Sequence, residues 1–298
     1  GVDDDVIYEI PKGKERTIEK LRNEFIRICS EIRKKGGLPQ VNHPFDASFS
    51  TRYNSEFWDM IEIFESMEIW NGATPFAAGT INAKAFKKWL SLLDEGKRLT
   101  ATTGSDTHNI YGDDYFGMTE WLDWLMDIVM KHPEIYPEQM NEKVAYLTWL
   151  YKKVWPRLLS WVEQSNTPST IHNYVYTNGK NQPQEILQAI REGHSFISNG
   201  PLVTAEVNGV SYGEKAVLKD RTGTLSVHVF SKKPINHLWM YTGADKKVEL
   251  CAKADTAEGG FTYDIAADEF DFGDTAWALF VADGGENNLA ISNPILFA

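Results

Sequence analysis

The sequence has only two cysteines, Cys29 and Cys251, among its 298 residues. This scarcity allows at most one disulfide and excludes a cysteine-based metal site or redox motif. No uncharged apolar stretch reaches about 18 residues, so we expect no membrane span. The sequence also lacks a P-loop, a Rossmann glycine pattern and an H-E-x-x-H motif. These absences argue against several large enzyme classes.

Basic residues are fewer than acidic residues. Thirty lysines and arginines stand against 42 aspartates and glutamates, for a formal net charge of −12. A chain that binds a phosphate backbone usually carries the opposite balance, so we expect no nucleic-acid partner. The composition is 42% hydrophobic and 24% charged, which is typical of a globular protein and argues against a disordered or fibrous chain.

The first part of the chain alternates between helical and strand patterns. Ile18, Leu21, Phe25 and Ile28 recur at spacings of three and four, which predicts an amphipathic helix. Helices are predicted at 14–35, 55–65 and 82–95, and strands are predicted between and after them at 38–42, 67–71 and 98–103. Short links between alternating helices and strands are typical of an α/β fold with parallel strands.

Residues 111–170 break this alternation. Five of the ten tryptophans fall in this stretch, which favours a buried helical insertion and leaves a substrate-cleft lining as the alternative. One more round follows, with a strand at 174–176 and a helix from Pro183 to about residue 192, ended by Gly193. From about residue 200 the pattern has a period of two, which predicts a β-sandwich.

Candidate functional residues stand at the ends of the predicted parallel strands, where the working residues of α/β folds lie. His43 follows the first strand, Asn71 ends the second, and Asp106 and His108 follow the third. A carboxylate and an imidazole two residues apart suit Zn²⁺, Mn²⁺ or Fe²⁺. The sequence therefore predicts a divalent metal site at this edge.

Five segments together resemble motifs of the PHP (polymerase and histidinol phosphatase) superfamily, and specifically its CehA/McbA-type branch. They are residues 37–44 (GLPQVNHP), 67–72 (MEIWNG), 103–108 (TGSDTH), 193–201 (GHSFISNGP) and 290–295 (AISNPI). The resemblance implies a partial distorted (βα)7 barrel over residues 1–198, with the helical insertion, followed by an all-β sandwich at 199–298.

The resemblance also implies metal-dependent hydrolysis, usually of phosphoesters, through attack by a metal-activated hydroxide. His43, Asp106 and His108 match metal ligands of the family. Glu68 and Asn71 match a segment beside the site. The implied cofactor is a divalent metal (Zn, Mn or Fe), and the implied substrate is a small phosphoester or related ester.

Two further histidines are weaker candidates. His172 precedes a predicted strand, where a loop role is the alternative, and His194 stands where many relatives have arginine. The sandwich contains a G-x-S-x-G sequence at 209–213, but in all-β surroundings it indicates a hairpin turn rather than a nucleophile elbow.

The sequence departs from the family in one respect: no two histidines are two residues apart, so the family's H-x-H strand is missing. With Gly1 in place of an initiator Met, we expect a truncated chain that binds one metal weakly or none. Its partner would then be the missing N-terminal segment or another copy of the chain. The alternative is a degenerate, non-catalytic scaffold that binds a polymer such as carbohydrate. The resemblance slightly favours a periplasmic or extracellular location and leaves a cytoplasmic one open.

Overall fold

The structure is a computed structural model that divides into two compact units. One unit comprises Gly1–Thr103 and Ile171–Ala298, and the other comprises Gly104–Thr170. The residues it describes are 17–45, 55–72, 76–105, 171–257, 259–285 and 288–298. Almost everything described belongs to the first unit. The predicted domain boundary near residue 198 stays a prediction, and the predicted insertion at 111–170 lies outside the described residues.

The described ranges contain three α-helices and one 3₁₀ segment, Ser55–Ile63, kinked at Met60. The α-helices are α1 (Ile18–Lys34), α2 (Ile81–Asp94) and α3 (Pro183–Glu192). Side chains of Thr17 and Thr80 cap the first turns of α1 and α2 by accepting backbone N–H groups. Gly193 ends α3 in a left-handed conformation. No helix within these ranges combines the length and the apolarity that crossing a membrane requires.

Fifteen strands lie in the described ranges. They are β1 (Gln40–Val41), β2 (Ser66–Asn71), β3 (Thr100–Gly104), β4 (His172–Val175), β5 (Ser195–Ser198), β6 (Leu202–Val207), β7 (Lys215–Ala216), β8 (Thr222–Ser231), β9 (His237–Gly243), β10 (Lys246–Glu249), β11 (Ala254–Ala257), β12 (Gly260–Asp271), β13 (Trp277–Asp283), β14 (Leu289–Ser292) and β15 (Ile295–Phe297).

The strands form three sheets. β1, β2 and β3 make a small sheet in which β1 and β2 are parallel. A larger sheet has the order β10-β9-β13-β14-β5-β4, all antiparallel along this path. Off this path, β15 pairs antiparallel with β13, and β7 pairs parallel with β15. A third sheet has the antiparallel order β11-β12-β8-β6.

The larger sheet is covered on both faces. Along β13, Ala278 and Phe280 belong to a core shared with the third sheet, while Leu279 and Val281 belong to a core shared with α2 and β2. Alternate residues of a strand point to opposite faces. A strand covered on both faces is apolar at every position, which is why residues 277–282 read WALFVA.

The predicted fold class, a partial distorted (βα)7 barrel followed by a sandwich, is wrong. Strands predominate among the described residues and form three open sheets. No closed barrel is found in this part of the chain. The strand predicted at 174–176 was expected to be a parallel strand of the barrel, but β4 pairs antiparallel with β5, with His172 opposite Ser198. β5 then pairs with β14, almost a hundred residues further along the chain. Helix–strand alternation is a local pattern, and it does not determine which strands pair.

Candidate functional site

The carboxyl ends of β1 and β2 meet at one edge of the small sheet. The parallel register pairs Gln40 with Ser66 and Val41 with Met67. His43, which follows β1, and Asn71, which ends β2, therefore lie towards the same edge. The structure brings these two predicted site residues into one region, together with Glu68 of β2.

His43 has an unusual backbone conformation, held by a buried carboxylate. Its φ angle is 28°, in the region that L-residues rarely adopt, and it precedes Pro44, which restricts it further. Its N–H donates a hydrogen bond of 2.6 Å to Oε2 of Glu68, whose side chain is only 5% exposed. Hydrogen bonds to a carboxylate are stronger than neutral ones. Glu68 therefore stabilises a strained residue at the edge of the sheet. Backbone strain of this kind often accompanies function.

Asn71 is held at the end of β2 by a side chain of α2. The Asn71 N–H donates to Oδ1 of Asn82 at 2.9 Å, and Nδ2 of Asn82 donates to the Asn71 carbonyl at 3.0 Å. Both residues are buried. The Asn82 amide thus satisfies both backbone groups of Asn71, as a neighbouring strand would.

β3 lies on the other side of β2 and is tied to it by a side-chain bond. The Thr103 hydroxyl donates to the Trp70 carbonyl at 2.6 Å, and the Thr100 N–H donates to the Glu65 carbonyl at 3.0 Å. These two contacts show that β3 runs in the same direction as β2. Thr103 is therefore at the same edge as Asn71.

A row of polar side chains crosses the small sheet below this edge. Oε1 of Gln40 accepts from the hydroxyls of Ser66 at 3.0 Å and Thr102 at 2.9 Å, and Nε2 of Gln40 donates to Oδ1 of Asn42 at 2.7 Å. Glu68 lies two residues from Ser66 on β2 and therefore shares this face. One face of the small sheet is polar and hydrogen-bonded, unlike a purely structural core layer.

The two weaker candidates lie in different places. His172 is exposed at the start of β4, next to Asn173, whose side chain contacts Thr103. His194 precedes β5, with Nδ1 3.6 Å from Glu192 and Nε2 3.9 Å from Glu214. The neighbouring Gly193 packs near Thr100, the first residue of β3, so His194 lies towards the opposite edge from His43.

The remaining predicted ligands, Asp106 and His108, lie outside the described residues. Within the described ranges, no three His, Cys, Asp or Glu side chains are grouped so that they could hold a metal ion. At this edge, the described ranges place His43, whose backbone N–H donates to the buried carboxylate of Glu68. Imidazole suits Zn²⁺, Mn²⁺ and Fe²⁺, so His43 is a candidate for one ligand of a metal site.

The third sheet and the larger sheet each carry one exposed histidine in contact with a carboxylate. Nδ1 of His228 lies 2.6 Å from Oδ1 of Asp264, and Nδ1 of His237 lies 2.6 Å from Oε1 of Glu249. The G-x-S-x-G sequence begins at Gly209, which forms a two-residue turn with Asn208 between Val207 and Val210, and both turn residues have positive φ. The prediction of a turn is confirmed.

Sequence reasoning missed the asparagines that hold the strand ends, Asn82, Asn173 and Asn293. For Asn82 and Asn173 the available signal was a short amide side chain inside a helix or strand, where Asn is unfavourable, whereas Asn293 lies between β14 and β15. Such residues are retained where their side chains bond to backbone groups. The backbone partners lie at distant positions, so the pattern alone did not identify them.

Comparison with known proteins gives no assignment, because this chain matches no family model, no curated protein and no solved structure.

Proposed function

We propose that this chain is a metal-dependent hydrolase that acts on small phosphoesters and is related to the PHP hydrolases through its motifs. The observation that carries the proposal is the pairing of His43 with the buried Glu68 at the carboxyl edge of β1 and β2. Backbone strain of this kind is often found at functional sites, and the bond to Glu68 fixes the backbone of His43 at this edge. The barrel is not part of this proposal.

His43 would hold the metal through its imidazole, and the sequence motif supplies Asp106 and His108 as the other ligands. A bound divalent cation supplies an activated hydroxide and neutralises charge on the phosphoryl oxygens. Glu68 orients His43 by accepting its backbone N–H.

The test measures metal binding and hydrolysis on the full chain. Equilibrium dialysis with Mn²⁺ and Zn²⁺ is followed by an aryl-phosphate hydrolysis assay with each metal. We expect metal-dependent hydrolysis that falls about 100-fold or more in His43→Ala and Asp106→Asn. His228→Ala is the matched control, because it removes an exposed, carboxylate-paired histidine elsewhere in the chain.

Two results would overturn the proposal. One is hydrolysis that persists without metal or is unchanged in His43→Ala. The other is a wild-type chain that hydrolyses no phosphoester with any of the metals, which would favour the alternative of a non-catalytic binding scaffold. Loss of activity in His228→Ala to the same degree as in His43→Ala would show that the assay reports general damage, and it would equally count against the assigned site.

A further inference from the structure

β3 is not joined to the larger sheet by backbone pairing in the described residues, but two asparagine side chains bridge the gap. Oδ1 of Asn293 accepts the Ala101 N–H at 2.7 Å, and its Nδ2 donates to the Ala101 carbonyl at 3.2 Å. Oδ1 of Asn173 accepts the Thr103 N–H at 3.0 Å, and its Nδ2 donates to the Thr103 carbonyl at 2.8 Å.

The spacing of these contacts matches the geometry of a strand. Residues two apart on a strand direct their N–H and C=O groups to the same side. Ala101 and Thr103 are two apart, so their four polar backbone groups face the same neighbour. A primary amide carries both a donor and an acceptor. Asn293 and Asn173 therefore replace the backbone of a missing strand along this edge of β3.

The two asparagines differ in what else they hold. Asn293 is fully buried, and its Nδ2 also lies 3.0 Å from both the carbonyl and the hydroxyl oxygen of Ser195. Asn173 is exposed, and its side chain bonds to the backbone of Thr103. Removing Asn293 would therefore disturb β3, β5 and the segment that follows β14, whereas removing Asn173 would release the carboxyl end of β3.

Release of the carboxyl end of β3 would affect the candidate site through Thr103. Its hydroxyl is bonded to the Trp70 carbonyl, next to Asn71 at the candidate site. In the chain it is followed by Gly104 and Ser105 and then by the predicted ligand Asp106. The backbone of Thr103 thus connects the described edge of the small sheet to the start of the predicted metal-binding motif.

We propose that Asn173 is a positioning residue, which holds the backbone of Thr103 and through it the carboxyl end of β3. The consequence for metal binding rests on the proposed function, but the effect on Thr103 does not. Asn173→Asp is the informative variant, because it has nearly the same shape. It keeps the acceptor for the Thr103 N–H and replaces the donor with an oxygen that repels the Thr103 carbonyl.

Hydrogen exchange at the Thr103 amide tests the proposal directly. In Asn173→Asp and Asn173→Ala at neutral pH, we expect the protection of this amide to fall about tenfold while the melting temperature changes little. As the pH falls towards about 4, the carboxyl introduced by Asn173→Asp gains a proton and regains a donor. Protection should then recover in Asn173→Asp and stay low in Asn173→Ala, a difference that a general loss of stability does not produce.

The test also measures the Mn²⁺ affinity of Asn173→Asp and compares this variant with the matched variant Asn293→Asp. We expect Mn²⁺ affinity to fall about tenfold in Asn173→Asp, while Asn293→Asp mainly lowers the melting temperature. Unchanged Thr103 protection in both Asn173 variants, or a decline without recovery at low pH in Asn173→Asp, would overturn the proposal. A wild-type chain that binds no metal would defeat the proposed function, and amide exchange would still decide whether Asn173 holds Thr103.

Discussion

The larger and third sheets share an apolar core and bury serines beside it, whereas the small parallel sheet buries a carboxylate. Val227 and Phe280 lie in that apolar core, and Ser198 and Ser231 are buried in the same sheets. The small sheet and α2 bury Glu68, Asn71 and Asn82 beside their apolar core. Burial of a polar group lowers stability unless a hydrogen bond replaces its contacts with water.

This difference indicates where stability and chemistry are located. Within the described residues, the larger and third sheets contain no histidine with a positive φ angle and no buried carboxylate. The small sheet buries the carboxylate of Glu68 and compensates with a hydrogen bond from the His43 N–H. Departures of this kind are expected at functional sites. The comparison therefore favours the small sheet as the functional region.

The largest expected effect lies in the apolar region. Phe280 is fully buried between two sheets, so Phe280→Ala should lower the free energy of unfolding by about 3–5 kcal/mol. Urea unfolding followed by circular dichroism measures this change. Leu202→Ala is the control, because Leu202 is 39% exposed and should lose far less. Equal effects of the two substitutions would contradict the assignment of the core.

A smaller effect is expected in the polar region. Asn82→Ala removes the acceptor and the donor that pair with the backbone of Asn71. A buried backbone group left without its partner costs about 1–3 kcal/mol of unfolding free energy. The same urea experiment measures it, with Asn236→Ala, which alters an exposed asparagine, as a comparison. An Asn82→Ala variant as stable as the wild type would show that this region does not depend on its hydrogen bonds.

The pH dependence of stability offers a third comparison. Burial raises the pKa of the Cys29 thiol to about 11, whereas an unfolded thiol titrates near about 8.5. Below about pH 8 the thiol is neutral in both states, and as the pH rises the unfolded state ionises first. The free energy of unfolding should therefore fall by about 2 kcal/mol between about pH 8 and pH 10.

Cys29→Ala separates this contribution from other alkaline titrations. The decrease over the same pH range should be smaller in this variant by the amount attributed to the thiol. Thiol labelling of the native protein in mildly alkaline buffer supplies an independent check, since Cys251 is exposed and Cys29 is buried. Rapid labelling of both cysteines in the folded protein would contradict the burial of Cys29.

The smallest effect is expected on the exposed surface of the third sheet. His228→Ala breaks the pair with Asp264, but both side chains are largely exposed. Exposed ion pairs contribute about 0–1 kcal/mol because water screens them. Urea unfolding should therefore place this variant within about 1 kcal/mol of the wild type. A loss comparable to that of Asn82→Ala would remove the contrast between an exposed pair and a buried hydrogen-bonded one.

Local elements could be predicted from the sequence because their signals are local. The helix from Pro183 to about residue 192, ended by Gly193, was predicted at the bounds that α3 has. The strand predicted at 67–71 corresponds to β2, and the period-two run at 225–229 lies inside β8. Proline, glycine and alternation act within a few residues, so these features are visible without tertiary contacts.

The candidate site could be predicted only in part. His43, Glu68 and Asn71 were identified from strand ends and motifs, and the structure brings them to one region of the small sheet. The bond that makes Glu68 relevant joins it to the backbone of a residue 25 positions away. No pattern in the sequence shows such a contact, because the donor is a main-chain group that every residue except proline possesses.

What the sequence determined by itself is the set of local elements and the chemical character of their ends. The tertiary structure alone decided that β4 and β5 pair antiparallel, and that asparagine side chains hold β3 where a barrel would need another strand. Asn293 contacts Ala101 across 192 residues of chain. Propensity and periodicity act over a few residues, whereas strand pairing reflects the packing of the whole unit.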